Sequence, residues 1–230
     1  MNPAHWLGNP AVSIALTVLC YAAALVLHRR LRWIPPLVVA CIPIMILLVL
    51  FHEPYAEYNR GGNLLAWLLG PATVGLAVPM YRNGARLRSS LPTLAAIVLT
   101  GAVVGMATAG FTAWLLGAPL PVTMAMVPKS VTTPIAIEVC RELKGIPQLT
   151  IAMVMLAGTL GASFGVPLLS MVGVRDDRAI GAAMGTASHG IGTASLVRRS
   201  EMQTAVSSWA MAAAGVFTSV LAALLMLFLR

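Results

Sequence analysis

The chain has 230 residues, of which 59% are hydrophobic and 10% are charged, and its mean hydropathy is +0.87. Soluble domains carry about 25% charged residues, so this chain has too few charges to cover a surface that faces water. The composition therefore excludes a soluble catalytic module and predicts an all-α, polytopic membrane protein. Its length allows roughly eight segments of about 20 residues, with little left for a domain outside the membrane.

The net charge of +8 does not point to nucleic acid. The arginines lie in short loops between apolar runs, and this placement is typical of topology signals. Cys20, Cys41 and Cys140 are odd in number, lie within or beside apolar segments and lack the spacing of metal ligands, so we expect neither a disulfide framework nor a metal site. We also expect no cofactor. No basic region precedes the first apolar run, which favours a retained helix over a cleaved signal.

Six apolar runs predict full transmembrane helices, at about residues 8–27, 34–51, 63–80, 91–116, 148–172 and 203–229. In the third run, Gly70-Pro71 predicts a kink or an unwound turn. Two further stretches, residues 121–141 and 179–197, are interrupted by glycine, proline and polar residues. Each stretch either crosses the membrane as a broken helix or enters and returns as a re-entrant hairpin.

The distribution of arginines predicts the orientation of the chain. One cluster follows the first apolar run and another follows the third, so both are expected in the cytoplasm, with the N-terminus and the C-terminus outside. Crossing and re-entry of the two interrupted stretches give the same count of cytoplasmic charges, so the rule leaves these alternatives open. The two clusters consist of Arg29, Arg30 and Arg32, and of Arg82, Arg86 and Arg88.

The two interrupted stretches align as a possible internal repeat at one constant offset. Corresponding broken segments in two halves of a membrane protein are a sequence indicator of a transporter substrate site. Re-entrant segments would make the halves inverted, and crossing segments would make them parallel. The matching residues are Ala125, Met126, Ser130, Ala136, Val139 and Arg141 with Ala183, Met184, Ser188, Ala194, Val197 and Arg199.

The first break has the composition of an anion site. Thr133 is a good N-cap and Pro134 suits the first position of a helix, so a half-helix is expected to start at Pro134. Its free N–H groups and positive dipole end would face the unwound loop, together with the hydroxyls of Ser130, Thr132 and Thr133 and the ammonium of Lys129. A lysine at mid-membrane needs a partner. A carboxylate substrate would supply one, and the alternative is that Lys129 caps the carbonyls of residues 121–127.

The second break places hydroxyl and imidazole groups among three glycines. Glycine permits unwinding and close backbone approach. A histidine titrates near neutral pH, so His189 is a candidate for proton coupling or for a hydrogen bond to a carboxylate, against the alternative of a structural bond to a neighbouring helix. Glu138 is a second proton-coupling candidate, although pairing with Arg141 at the interface is the preferred interpretation. The predicted substrate-binding side chains of this break are Thr186, Ser188, His189 and Thr193.

An intramembrane enzyme is not expected. Ser130 follows Lys129 and Ser188 precedes His189, but adjacent residues do not face each other on a helix. No acidic residue is present in either break to orient a catalytic base.

Three motifs resemble the LrgB/CidB family of bacterial membrane proteins, and the resemblance covers nearly the whole chain. The first and third motifs are the specific ones. The motifs are Pro128-Lys129-Ser130-Val131-Thr132-Thr133-Pro134-Ile135-Ala136, residues 158–165 (GTLGASFG) and residues 184–194 (MGTASHGIGTA).

The resemblance implies two alternative functions. Family members are described as antiholin-like regulators of murein hydrolase activity and cell lysis that act beside a holin-like LrgA/CidA partner. The family also includes the C-terminal half of the plastid glycolate/glycerate translocator, and bacterial members are linked to pyruvate uptake. We therefore expect a proton-coupled secondary transporter of small monocarboxylates in the bacterial inner membrane, with the antiholin-like regulator as the alternative.

The expected architecture is elevator-like. Residues 1–90 would form a scaffold through which the protein dimerises, and residues 91–230 would form a transport domain that contains both broken segments. The expected partners are a monocarboxylate, the lipid bilayer, a second copy of the chain and the holin-like protein. We do not expect the protein to bind nucleic acid.

Overall fold

The computed structural model describes residues 9–30 and 36–228, and within them the chain forms helices and no strands. The all-α class expected from composition is confirmed. A π-helical turn, Gly161–Gly165, lies between α9 and α10. The helices are α1 Pro10–Arg30, α2 Pro36–Leu50, α3 Tyr55–Ala66, α4 Leu69–Arg82, α5 Gly84–Arg88, α6 Leu91–Leu115, α7 Leu120–Met126, α8 Thr133–Glu142, α9 Pro147–Leu160, α10 Val166–Met171, α11 Asp177–Leu196 and α12 Glu201–Phe228.

Among the described residues, five helical segments are long and apolar enough to cross a membrane: Pro10–Arg30, Tyr55–Arg82, Leu91–Leu115, Pro147–Met171 and Glu201–Leu227. They correspond to five of the six predicted spans. The remaining one, α2, is shorter and contains Pro43. The chain is therefore a multi-pass membrane protein. The predicted limits at Gly8, Ile34 and Leu229, and the charges of Arg32 and Arg230, lie outside the described residues.

The chain forms two compact units, residues 1–75 and 76–230. In the first unit α1 packs against α2 and α3. The Thr17 hydroxyl lies 2.6 Å from the Tyr58 hydroxyl, and a methyl group at Gly61 would lie 2.6 Å from Ser13 Cβ. The third apolar run is interrupted at Trp67–Leu68, between α3 and α4, just before Gly70-Pro71. The predicted functional division at residue 90 stays a prediction.

In the second unit α6 and α12 run parallel, because contacts along both helices advance in the same direction. Leu94, near the start of α6, packs with Ala205 and Val206, near the start of α12. Val98 packs with Ala210 and Ala214, and Met106 packs in the same cluster as Leu225. Contacts between small side chains let the two helices approach closely, as is typical of helix pairs in membranes.

The first interrupted stretch is a hairpin, which we call hairpin 1 (α7, the loop 127–132 and α8). A methyl group at Gly145 would lie 2.8 Å from Ala125 N, and the Thr150 hydroxyl donates to the Ala125 carbonyl at 2.9 Å. In a continuous helix Gly145 would be about 30 Å from Ala125. The chain therefore enters along α7 and returns along α8 to the same end.

The second interrupted stretch, α11, also folds back on itself, and we call it hairpin 2. His189 has φ 40° and ψ −137°, which breaks the helix. Beyond this residue the chain reverses, because Leu196 packs with Ile180 and Met184. At the base of the hairpin the Ser200 hydroxyl donates to Asp177 Oδ2 at 2.6 Å. Both stretches thus have the hairpin form that the arginine count left undecided.

The hairpins enter the second unit from opposite ends. The base of hairpin 2 lies beside the start of α6, where Arg178 Nη1 donates to Ser90 Oγ at 2.6 Å. The base of hairpin 1 lies beside the other end of α6, because Leu120 and Trp114 line one groove. We call the end with hairpin 2 the arginine end. Its basic residues are Arg82, Arg86, Arg88, Arg175, Arg178, Arg198 and Arg199.

Candidate functional site

The two hairpins meet at the middle of α6. A methyl group at Gly105 would lie 3.7 Å from Ser130 Oγ in hairpin 1, and a methyl group at Gly101 would lie 2.8 Å from Thr186 Cγ2 in hairpin 2. The middle residue of α6 is Val103, between these two glycines. Ser130 of hairpin 1 and Thr186 of hairpin 2 therefore lie against neighbouring turns of the same helix.

A cavity of about 10 Å³ lies between the hairpins, α6 and α12. A volume of this size holds a single water-sized group. Three hydroxyl side chains contribute to its lining, those of Ser130, Thr186 and Thr218. The first two were predicted from the sequence and Thr218 was not. The apolar part of the lining is formed by Ala102, Met106, Val127, Pro128, Val131 and Ala214.

Lys129 is half-buried beside this cavity. Its ammonium donates to Ser130 Oγ at 3.4 Å and pairs with no carboxylate in the described part of the chain. The predicted alternative was that Lys129 caps the carbonyls of residues 121–127. In the structure the Ala125 carbonyl is instead bonded by Thr150, and the Lys129 ammonium bonds none of these carbonyls among the described residues. The cation thus keeps two of its three donors available.

The start of α8 points its positive end toward the tip of hairpin 1. The helix begins at Thr133, one residue earlier than predicted, and Thr132 rather than Thr133 is the N-cap, with extended φ −61° and ψ 145°. Thr132 is an equally good cap by residue type, which is why the sequence did not distinguish them. Pro134 occupies the second position and is exposed. Thr132 makes no side-chain capping bond, so the first N–H groups of α8 are left without that partner.

His189 is buried, with 4% of its surface exposed. Its Nε2 lies 3.0 Å from the Val154 carbonyl in α9. A carbonyl only accepts, so Nε2 carries the proton and Nδ1 is the basic atom of the neutral ring. The ring lies directly on Gly158, where a methyl group would be 2.8 Å from Nε2. The Val154 side chain packs with Val131 of hairpin 1, so one residue of α9 contacts both hairpins.

The other predicted side chains of hairpin 2 face different helices. Ser188 packs against Gly161 in the π-helical turn, and Thr186 donates to the Ala182 carbonyl at 2.7 Å. Thr193 donates to the His189 carbonyl at 2.8 Å and lies 2.7 Å from Ser207 Oγ in α12. The predicted set therefore does not line one cavity. Thr186 faces α6, and Thr193 faces α12. His189 faces α9, and Ser188 faces the π-helical turn that follows α9.

Sequence reasoning missed Ser207 and Thr218, which both lie on α12. They are three helical turns apart and both are buried, so they share the face that contacts the hairpins. A weak signal was present, because Ser207, Ala210, Ala214, Thr218 and Ala222 repeat at helical spacing along an apolar segment.

Glu138 lies apart from these groups. Its side chain is 68% exposed and accepts a bond from Arg141 Nη1 at 2.7 Å. This is the pairing preferred from the sequence. Within residues 9–30 and 36–228, no group of three or more potential metal-binding side chains is found.

Comparison with known proteins identifies the family. The model of the LrgB-like family matches residues 17–228. The chain is 33% identical to Bacillus subtilis "Uncharacterized protein YxaC" over 210 residues, which cover 90% of this chain and 91% of that protein. It is 26% identical to "Antiholin-like protein LrgB" of Bacillus mycoides over 224 residues, or 96% and 97% of the two chains. No solved structure matches. The resemblance predicted from the motifs is thereby confirmed, and this chain belongs to the LrgB-like family.

Proposed function

We propose that this protein is a carrier of small monocarboxylates, with the substrate bound between the tips of the two hairpins. The observation that supports this proposal is Lys129, a half-buried cation without a carboxylate partner in the described chain, beside the start of α8. A lysine near the bilayer centre costs about 2.5–3.5 kcal/mol on insertion scales. A bound carboxylate would offset that cost and accept from the free N–H groups of the half-helix.

The geometry of the hairpins supports alternating access. They enter from opposite ends and meet at mid-length of α6, which is about 37 Å long and so places the tips near the bilayer midplane. In the membrane they would be re-entrant segments of an inverted repeat, with Ser130 and Ser188 at corresponding tips. Such repeats surround the substrate site in many secondary transporters. An elevator-like movement of residues 91–230 against residues 1–90 is the form we propose.

The arginine end is proposed to face the cytoplasm, because short cytoplasmic loops carry an excess of lysine and arginine. The C-terminus would then lie outside, and the membrane would be the bacterial inner membrane. Homodimerisation through the N-terminal helices is part of this proposal.

His189 is our candidate for proton coupling. It is buried at the break of hairpin 2, whereas Glu138 is exposed and paired with Arg141. Protonation at Nδ1 would place a positive charge at the tip of hairpin 2, where it would alter the affinity for an anion bound nearby. We propose no catalytic role for either break.

The second candidate function is antiholin-like regulation of murein hydrolase activity through a holin-like, LrgA/CidA-type membrane partner. The name of the Bacillus mycoides relative, "Antiholin-like protein LrgB", supports this candidate. A regulator of this kind would require contact with its partner but no substrate site, so it would not depend on Lys129.

The test is uptake of radiolabelled pyruvate, glycolate and lactate by liposomes that contain only this protein, with and without a proton gradient. Saturable uptake that is lost in Lys129→Gln supports the carrier. Lys144→Gln is the matched control, because Lys144 is the other lysine of the chain and lies in the exposed connection after α8. It should retain uptake.

Folded protein that takes up none of the three acids would contradict the carrier. Lysis control by the same variants in cells tests the second candidate. A regulator would keep its effect in Lys129→Gln, provided that the holin-like partner is present.

A further inference from the structure

The side of α12 that faces the hairpins carries a hydroxyl at the height of the cavity. Thr218 is 3% exposed and lines the same cavity as Ser130 and Thr186. The neighbouring stretch of α12 is fixed against hairpin 1, since a methyl group at Gly215 would lie 2.7 Å from Ile135 Cδ1. Thr218 is therefore held in position opposite the tip that carries Lys129.

The hydroxyl of Thr218 differs from the other hydroxyls of α12 in its bonding. Thr204, Ser208 and Ser219 donate to the carbonyls four residues earlier, at 2.9, 2.8 and 2.9 Å. In a helix this bond is the usual way to satisfy a serine or threonine. Thr218 makes no hydrogen bond within the described residues and lines the cavity instead. Its donor and its acceptor positions are both available to a group in that cavity.

The size and lining of the cavity indicate which group this is. About 10 Å³ fits one oxygen-sized group, and three hydroxyl-bearing residues contribute to its lining. The Thr186 hydroxyl already donates to the Ala182 carbonyl, so the Thr218 hydroxyl is the one on the lining that makes no hydrogen bond within the described residues. The carboxylate itself is better placed at Lys129, whose ammonium lies 3.4 Å from Ser130 Oγ at the edge of the cavity. An oxygen on the second carbon of the same acid would then be the group that reaches the cavity.

We propose that Thr218 is a specificity-determining residue, and that its hydroxyl bonds the oxygen on the second carbon of a bound 2-oxo or 2-hydroxy acid. This inference rests on the proposed carrier function and adds a third wall, α12, to the site. Sites that hydrogen-bond a substrate hydroxyl discriminate against the analogue that lacks it, because the polar groups of the site are then left unpaired.

The test compares lactate with propionate, which have the same number of carbons and the same charge and differ in the 2-hydroxyl. The ratio of kcat/KM values is measured in proteoliposomes for each variant. Wild type should prefer lactate, and Thr218→Val should reduce that preference on the order of fivefold, as expected for one neutral hydrogen bond. Thr218→Ser should retain the preference.

Thr204→Val is the matched control, because it makes the same change on the same helix at a hydroxyl that bonds the Ser200 carbonyl. It should keep the wild-type ratio even if the rate changes. If Thr218→Val misfolds, Thr218→Ala removes the same hydroxyl and should give the same loss of preference.

Three results would overturn the inference, and they are distinguishable from one another. Equal loss of both acids in Thr218→Val would show a structural role. A wild type that transports both acids equally would leave the carrier function standing and remove the assignment of Thr218. A wild type that transports neither acid nor pyruvate would overturn the proposed function together with this inference.

Discussion

The imidazole Nε2 of His189 and the carbonyl oxygen of Val154 lie 3.0 Å apart, and this contact fixes the tip of hairpin 2 to α9. The backbone of His189 has φ 40° and ψ −137°, a region that favours glycine. Strain of this kind costs of order 1–3 kcal/mol and persists where the surroundings enforce it. The bond from the imidazole to the Val154 carbonyl is one interaction that offsets this strain.

The strain at His189 predicts an inverted order of stability for two variants. His189→Ala keeps the strained backbone and loses the bond to Val154, whereas His189→Gly loses the bond but relieves the strain. His189→Gly should therefore melt at least about 2 °C above His189→Ala in detergent, as measured by thermal unfolding. Inside a helix the order is normally the reverse. If His189→Ala melts above His189→Gly, as it would inside an ordinary helix, the tip is not strained.

Ser207 is predicted to hold the backbone of the second tip through Thr193. Each hydroxyl has one proton, and Thr193 uses its proton on the His189 carbonyl, so Ser207 donates to Thr193. Ser207→Ala should increase hydrogen exchange of the backbone of residues 186–196 and lower stability by about 1 kcal/mol.

Ser208→Ala provides the control for this prediction. Its hydroxyl is also buried, but it bonds only the Thr204 carbonyl of its own helix. Exchange of residues 186–196 should match wild type in this variant. Equal exchange in the two variants would mean that Ser207 does not support the tip.

Asp177 is predicted to make the base of hairpin 2 sensitive to acid. Bonds from the Ser200 hydroxyl, and then from Gln203 Nε2, hold the pKa of its carboxyl below the ordinary value of 3.8, against a smaller opposing effect of burial. Because the folded-state pKa is lowered, the stabilisation is present above pH 3.8 and is lost as the pH falls through the folded-state pKa.

Asp177→Asn tests this linkage through thermal stability in detergent at several pH values. The variant should be less stable than wild type at pH 7, and the difference should shrink as the pH falls below 3.8. A difference that stays constant with pH would show that the charge of Asp177 does not contribute.

Opposite placement of the two hairpin bases predicts the labelling of single cysteines. Lys144→Cys and Arg175→Cys are placed in a chain whose native cysteines are replaced, and cells are treated with an impermeant maleimide. The cysteine at 144 should react in intact cells, and the cysteine at 175 only after permeabilisation, because the arginine end is proposed to face the cytoplasm. The reverse pattern is expected if both stretches cross the membrane. Labelling of both positions from one side would contradict hairpins that enter from opposite ends.

The limits of the hairpins were predictable from the sequence to within two residues. Residues 121–141 and 179–197 were expected, and the hairpins span residues 120–142 and Asp177–Leu196. Glycine, proline and hydroxyl residues act locally on the backbone, so their effect is readable without knowledge of the fold. The position of Lys129 in the first break was readable in the same way, but the sequence left open whether its ammonium caps the carbonyls of residues 121–127.

The reversal of the chain within each hairpin was not predictable, because both topologies give the same arginine count. The partner of His189 was also hidden, since a backbone carbonyl such as that of Val154 has no residue-specific signature. The positions of Thr218 and Ser207 beside the hairpins were not predicted for a different reason. Hydroxyls within an apolar helix usually bond their own backbone, and only tertiary contacts reveal which of them do not.

The helix that contains Val154 joins the two hairpins in sequence as well as in space. Residues 143–146 connect hairpin 1 to α9, and residues 172–176 connect α10 to hairpin 2. The links have four and five residues, so a displacement that extends either link fully would be transmitted to this helix. The wider π-helical turn at Gly161–Gly165, against which Ser188 packs, is the point between α9 and α10 where this segment can bend. The two hairpins are thus connected to each other through a single segment, which consists of α9, the π-helical turn and α10.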